Sequence, residues 1–341
     1  MTAQILPTHT PALFQAAVKR ATDALRTGEV VALPTETVYG LAANALDEKA
    51  VARIFQIKGR PANNPIIVHV ASVEMAKGCA ASWPAIADKL AKAFWPGPLT
   101  LVLPRARTIP DIVTAGGPTV GVRWPSHPLI QAVIRGCDFP LAAPSANLSS
   151  QISPTTAEHV RKQLGGNISL IIDGGQSQVG IESTVLDLTP LLRATPGLPE
   201  ILRPGMIHAE SLAAVIGTIE HRTSNIEHRM LRSPGLLKKH YAPKAKLLVL
   251  NWDDEVDLKT RLVTRRVLPA TCHVIAHTRI PAGGAFANVC VIPHDAEAFA
   301  RAIYAELHRC DETGGEWIVV EAPPDLPEWS AIADRLRRAS R

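Results

Sequence analysis

Between Pro34 and Val70 the chain reads PTETVYGLAANALDEKAVARIFQIKGRPANNPIIVHV. Two hydroxyls (Thr35, Thr37), two fixed cations (Lys58, Arg60), two amides (Asn63, Asn64) and His69 gather there around one strand–helix–strand unit. That mixture suits a small ligand carrying phosphates and carboxylates. Lys58 would serve as a mobile point charge, and Arg60 as a planar fork able to grip two oxygens. Taken alone, the two cations fit a solvated helix end equally well.

Further candidates lie downstream. Arg123 in GVRWPSHP and Arg203 in LRPG end strand-like runs. Pro144-Ser145-Ala146-Asn147 is a strand-to-loop junction with two hydrogen-bonding side chains, and Glu182-Ser183-Thr184 follows the Gly-rich DGGQSQVG. Ser153 and Thr155 form a second polar turn, where either would cap a helix starting near Thr156. His69, alone in an apolar strand, reads as a core histidine. There is no Walker A loop and no Gly-x-Gly-x-x-Gly, so any phosphates must be held by side chains and strand-end loops. Without a His-Glu-x-x-His or His/Cys cluster, no metal site built from protein alone is expected. Nor does a Gly-x-Ser-x-Gly elbow offer a serine nucleophile. The inventory is rich in cations and hydroxyls and poor in bases, which points to catalysis by positioning and charge neutralisation.

Short strands alternating with helices must carry these residues, an α/β layer architecture. Helices are expected over Pro11–Thr27, Glu48–Ile57, Trp83–Trp95 and Met206–Ile219, and strands over Val30–Leu33, Ile66–Val70, Leu99–Leu103, Val120–Arg123, Leu141–Ala143, Leu170–Asp173 and Ser183–Leu188. Residues 1–220 form one domain, 221–245 a polar, basic linker, and 246–341 a second, smaller α/β domain with strands at Leu247–Leu250, His273–Ala276 and Trp317–Val320 and helices at Ala296–Arg309 and Trp329–Arg338. The linker carries SPGLLKKHYAPK, whose Tyr241 and basic side chains suggest more than a tether. The cluster Arg335, Arg337, Arg338 and Arg341 reads as a solvated helix face.

The net charge of +5 fits anionic small ligands or weak attraction to RNA. With aromatics at 4%, base stacking on aromatic platforms is not expected. Five scattered cysteines without a Cys-x-x-Cys pair read as reduced thiols of a cytosolic protein. No signal peptide opens the chain and no apolar run is of membrane length, so a soluble cytoplasmic protein is expected.

PTETVYGL, KGRPANNPIIVHV, WPGPLT, GVRWPSHP, APSANLS, ESTV and LRPG, in this order and spacing, resemble the YrdC-type threonylcarbamoyl-AMP synthases. SPGLLKKHYAPK and the trailing α/β unit resemble the long form of that family. The resemblance covers nearly the whole chain. It implies a twisted-sheet YrdC-like catalytic domain with a Rossmann-like second domain. It also implies an activity: joining L-threonine, bicarbonate and ATP into L-threonylcarbamoyladenylate, with release of pyrophosphate, for threonylcarbamoyladenosine formation on tRNA by a downstream transfer machinery. Mg²⁺ would come with the ATP. Carried onto matching positions, Thr37, His69, Arg123, Ser183 and the backbone of Ala143 would hold threonine, Arg123 pairing with its carboxylate. Lys58, Arg60, Asn64, Thr119, Ser145, Asn147, Ser153 and Arg203 would contact the nucleotide, with Lys58 and Arg60 the catalytic cations. Tyr241 would fold over the pocket as part of a lid excluding water.

Two other readings compete. One is a double-stranded RNA-binding module using the same basic concavity without catalysis. The other is a carbamoyl-transferring domain of a larger maturation enzyme, against which the missing acylphosphatase-like and zinc-binding segments count.

Overall fold

The computed structural model describes residues 3–221, 234, 240–282 and 284–340, which fall into two compact units. The first comprises Met1–Ser149, Pro154–Gln178 and Glu182–Leu236; the second comprises Ser150–Ser153, Val179–Ile181 and Leu237–Arg341. Most of the linker, residues 222–233 and 235–239, lies outside the described residues.

The strands of the first unit are β1 (Gln4–Pro7), β2 (Val31–Leu33), β3 (Gly40–Asn44), β4 (Val68–His69), β5 (Leu99–Pro104), β6 (Thr119–Arg123), β7 (Leu141–Ala142), β8 (Leu170–Asp173), β9 (Thr184–Asp187), β10 (Glu200–Arg203) and β11 (Glu220–His221). They form one mixed sheet in the order β1-β8-β2-β3-β7-β4-β6-β5-β9-β10-β11. Its central strands are covered on both faces: Val31 and Leu33 enter one apolar cluster, while Ala32 between them enters the other. Burial on both sides is why these segments read as continuous apolar runs rather than alternating ones.

The helices are α1 (Pro11–Arg26), α2 (Glu48–Lys58), α3 (Val73–Cys79), α4 (Ala85–Phe94), α5 (Pro128–Cys137), α6 (Ala157–Leu164) and α7 (Ala209–Ile216). The ends of α2 and α6 bear on candidate residues. Asp47 caps α2, accepting from Lys49 N at 2.9 Å and Ala50 N at 3.3 Å, and Gly59 ends it in the left-handed region at φ 58°. That stop turns the chain so that Lys58 and Arg60 leave the helix in succession. The cap of α6 is Thr156 itself, accepting from His159 N at 3.2 Å, and neither Ser153 nor Thr155 fills that place.

The second unit is a parallel sheet of β12 (Lys246–Leu250), β13 (Cys272–Ala276), β14 (Asn288–Val291) and β15 (Trp317–Glu321) in the order β12-β15-β13-β14, with helices α8 (Glu255–Thr264), α9 (Ala296–Glu312) and α10 (Ser330–Ala339). This is the expected second, smaller α/β domain, built on a parallel sheet. One expectation fails here. Arg335 is buried, pairs with Asp334 at 3.1 Å and lies 5.3 Å from the Tyr241 ring centre, while Arg337 of the same cluster stays exposed. Position on the amphipathic helix decides between them. All five cysteines are unpaired thiols. Among the described residues no helix is long and apolar enough to cross a membrane.

Gly205, in the turn after β10, meets the start of β9 at a distance only glycine permits. A Cβ there would sit 2.3 Å from Thr184 N and 2.7 Å from the Ser183 carbonyl carbon. Both obstacles are backbone, so neither can swing aside. Gly205→Ala should cost about 1–3 kcal/mol through overpacking, read as a lowered denaturation midpoint; an unchanged midpoint would contradict this packing.

Candidate active site

The site grows from sheet register. In the parallel pair β4–β6, His69 lies beside Arg123, and in the antiparallel pair β4–β7 His69 faces Leu141. β5 runs antiparallel on the other side of β6, Leu101 opposite Val122, which sets Thr100 beside the Arg123 end of the sheet. Three neighbouring strands thus deliver His69, Arg123 and Thr100 to one place, although 54 residues separate the first two in sequence (123 − 69).

Arg123 is held on several sides. Its Nε donates to Gly97 O at 3.3 Å, its Nη1 donates to Thr37 Oγ1 at 2.9 Å, and its Nη2 lies 2.7 Å from Glu36 Oε1 in an ion pair without hydrogen-bond alignment. Thr37 Oγ1 also lies 2.9 Å from Thr35 Oγ1, and Thr35 Oγ1 donates to Val38 O at 2.6 Å, so the PTET turn is tied to itself. His69 is buried, and its Nδ1 finds no partner within the described residues. Burial, with the Arg123 charge second, pushes its pKa down to about 3, so the ring stays neutral at ordinary pH.

Ser183 joins the same end. Its Oγ lies 2.8 Å from Thr100 Oγ1 and accepts from Arg203 Nη2 at 3.0 Å, while its carbonyl accepts from Arg203 Nε at 3.1 Å. Arg203 therefore stands with Ser183, although the resemblance grouped it with the nucleotide residues. Its Nη1 also donates to the carbonyl of Pro234, a residue of the SPGLLKKHYAPK stretch, at 3.2 Å.

A second cluster forms towards the other ends of β4 and β6. Lys58 Nζ donates to Ser145 O at 2.6 Å and to Asn147 O, and Ser149 N returns a bond to Lys58 O at 2.8 Å. Arg60 donates from Nε to Asn64 O at 3.1 Å and from Nη2 to Asn64 Oδ1 at 2.8 Å and Pro65 O at 2.6 Å. Asn64 Nδ2 is buried with no acceptor among the described residues. Burial, then the neighbouring Arg60 charge, holds the Lys58 ammonium well below its usual pKa. Thr119 opens β6, four residues before Arg123 (123 − 119). Ala143 lies between the clusters, its N–H bonded to Ile67 O at 3.1 Å and its Cβ against Gly40.

The chain thus brings together Thr37, His69, Arg123, Ser183 and Arg203 at one end, and Lys58, Arg60, Asn64, Ser145 and Asn147 at the other, while Thr119 opens β6 opposite Pro104. Ser153 and Tyr241 belong to the second unit. There the Ser153 carbonyl lies 3.1 Å from His308 Nε2, and Tyr241 is buried at φ 63°, stacked on Tyr304 with ring centres 6.0 Å apart. Glu36 and Thr100 do not stand out in the sequence. Glu36 sits inside the most informative motif, but a glutamate between two threonines reads as turn polarity until the fold sets it against Arg123. Among the described residues no three His, Cys, Asp or Glu side chains converge as a metal site.

Residues 23–205 match a family model described as telomere recombination, and residues 207–341 one described as threonylcarbamoyl-AMP synthase, C-terminal domain. The threonylcarbamoyl-AMP synthase of Pyrococcus abyssi is 39% identical, over 95% of this chain and 94% of its own length. That of Bacillus subtilis is 39% identical, over 98% and 94% respectively. The crystal structure of P. abyssi Sua5 complexed with L-threonine matches with a TM-score of 0.88 at 37% identity, covering 100% of this chain and 98% of that one. Two family models end to end, full-length relatives and a shared fold leave one assignment: the chain belongs to the threonylcarbamoyl-AMP synthase family.

Proposed function

We propose that this protein makes L-threonylcarbamoyladenylate from L-threonine, bicarbonate and ATP, releasing pyrophosphate, and so supplies tRNA modification. The observation that carries the reading is the pair of separate cationic clusters on one sheet, one built around Arg123 and one around Lys58 and Arg60. ATP and bicarbonate are anionic and threonine carries a carboxylate, and a buried cation interacts with an anionic group far more strongly than a solvated one. Lys58, Arg60, Arg123 and Arg203 are 2%, 9%, 4% and 3% exposed, too enclosed to track the phosphates of a duplex, which disfavours the RNA-module reading.

Threonine would lie at the Arg123 end, its carboxylate on the guanidinium and its polar groups near Thr37, His69 and Ser183. The nucleotide would lie over Lys58, Arg60, Asn64, Ser145 and Asn147. Threonine's amine, once it has lost its ammonium proton, adds to carbon dioxide formed from bicarbonate by loss of water and releases a second proton as it becomes a carbamate, and a carbamate oxygen then displaces pyrophosphate from the α-phosphorus. Lys58 and Arg60 would neutralise the charge that accumulates there. Magnesium would arrive bound to the triphosphate oxygens and supply further neutralisation. The product would pass to a downstream threonylcarbamoyl-transferring machinery.

Pyrophosphate release by the purified protein should need both threonine and bicarbonate; release that proceeds equally without threonine refutes the reading. Lys58→Ala or Arg60→Ala should lower turnover by at least about a hundredfold with an unchanged far-ultraviolet circular dichroism spectrum, and a variant with normal turnover removes the phosphate role. The buried His69 generates a stability prediction. Its folded pKa, about 3, lies below the ordinary value of 6.5, so the unfolded chain takes up the proton first as pH falls. Stability should therefore be full above about pH 6.5 and decline below it, by up to ~1.4 kcal/mol per pH unit from this group. Denaturation midpoints of His69→Gln should show a shallower acid-side slope; an identical slope would mean that His69 titrates normally.

A further inference from the structure

We propose that Glu36 receives the α-ammonium of the amino-acid substrate while Arg123, beside it, takes the α-carboxylate. The inference rests on the synthase reading and adds a specificity-determining residue to it.

Glu36 is buried, yet neither carboxylate oxygen accepts a hydrogen bond among the described residues. Its neighbour Arg123 Nη2, 2.7 Å from Glu36 Oε1, is likewise without an acceptor in hydrogen-bond alignment. An ionised carboxylate offers about four acceptor sites. Leaving them unmet inside a protein is costly, and native structures seldom do it without a functional reason. The other donors of Arg123 are already directed elsewhere, Nε to Gly97 O and Nη1 to Thr37 Oγ1. What remains open is a buried cation and a buried anion, side by side, each with unused capacity.

An α-amino acid is the chemical complement of that arrangement. It carries a carboxylate and an ammonium on adjacent atoms, the first an acceptor for Arg123 and the second a three-fold donor for Glu36. A carboxylate-bearing metabolite without the ammonium would satisfy Arg123 and leave Glu36 unmet. Selection of this kind, in which a buried polar group is left unpaired by the wrong ligand, is the most discriminating available to a binding site. A role confined to holding Arg123 is the competing account. It predicts no dependence on the ligand's amine.

The two separate in calorimetric titrations of L-threonine and of 3-hydroxybutanoate, which keeps threonine's carboxylate and hydroxyl and lacks only the amine. Glu36→Gln should weaken threonine by roughly tenfold or more, the scale of a lost charged hydrogen bond, and leave the affinity for 3-hydroxybutanoate within about twofold. Glu36→Asp should recover part of the loss. Equal weakening of both ligands, or unchanged threonine binding, overturns the proposal. Thermal melting without ligand identifies any variant that fails to fold. In that event the wild type alone decides, because equal affinity for the two ligands would exclude an ammonium receiver. Threonine-independent pyrophosphate release would defeat the synthase reading itself, whereas threonine-dependent release without discrimination at Glu36 defeats only this inference.

Discussion

Burying the Arg123 guanidinium is the constraint around which the catalytic unit is arranged. A charge removed from water is tolerated only when its donors are matched and an opposite charge stands close. Two chain segments answer that demand: the Trp-Pro-Gly-Pro turn through Gly97 O, and the PTET turn through both Thr37 Oγ1 and the Glu36 counter-ion. Each segment is in turn pinned elsewhere. Gly97 N donates to Trp124 O at 2.8 Å, Thr184 N to Pro98 O at 3.0 Å, and Ser177 Oγ to Thr35 O at 3.0 Å. A single buried cation thereby fixes where β6, the PTET turn and the start of β9 can lie, and with them Thr37 and Ser183.

The same logic separates the two clusters. Strand rise is about 3.3 Å per residue, so the length of β6 keeps the Thr119 end well away from Arg123. Two cationic centres can then coexist on one sheet without crowding. At the Lys58 end the opposing terms differ. Among the described residues no carboxylate is paired with Lys58; carbonyls of Ser145 and Asn147 accept from its ammonium instead. Carbonyl dipoles compensate burial only in part, which is why the Lys58 pKa falls. Such a centre is primed for an anion, since a phosphate would supply the charge that the protein withholds.

Much of this could be read from the chain. The expected strand at Leu170–Asp173 coincides with β8, and α2 runs one residue past its expected end because Gly59, rather than Ile57, stops it. The strand expected over Ile66–Val70 contracts to Val68–His69, since Ile66 and Val70 make their bonds outside a ladder, to Val113 and Arg123 carbonyls. Gly40–Asn44 carries no strand signal because GLAAN is small and lacks β-branched residues; its strand form comes from neighbours on both sides, β2 and β7. The site residues were legible as types within motifs. Their grouping was not, because it depends on register between strands far apart in sequence. Arg203 stands with Ser183 for that reason, and Glu36 became visible only when β6 brought Arg123 against it.

The second unit shows why chemistry collects in the first. In open parallel sheets, ligands gather at the carboxyl ends of the strands, where loops leave polar backbone unfilled. Here the protein supplies its own anion to that edge. Glu321, at the end of β15 and fully buried, accepts from His277 N at 2.7 Å, Thr278 N at 2.9 Å and Arg279 N at 3.2 Å, and from the Thr278 hydroxyl. Those amides are the donors that would otherwise cradle a phosphate. The His277 Nδ1 lies 2.8 Å from His294 Nδ1, and both rings pack against Trp329. With these amides engaged by Glu321, the protein itself fills the donors that such an edge would otherwise offer to an anion.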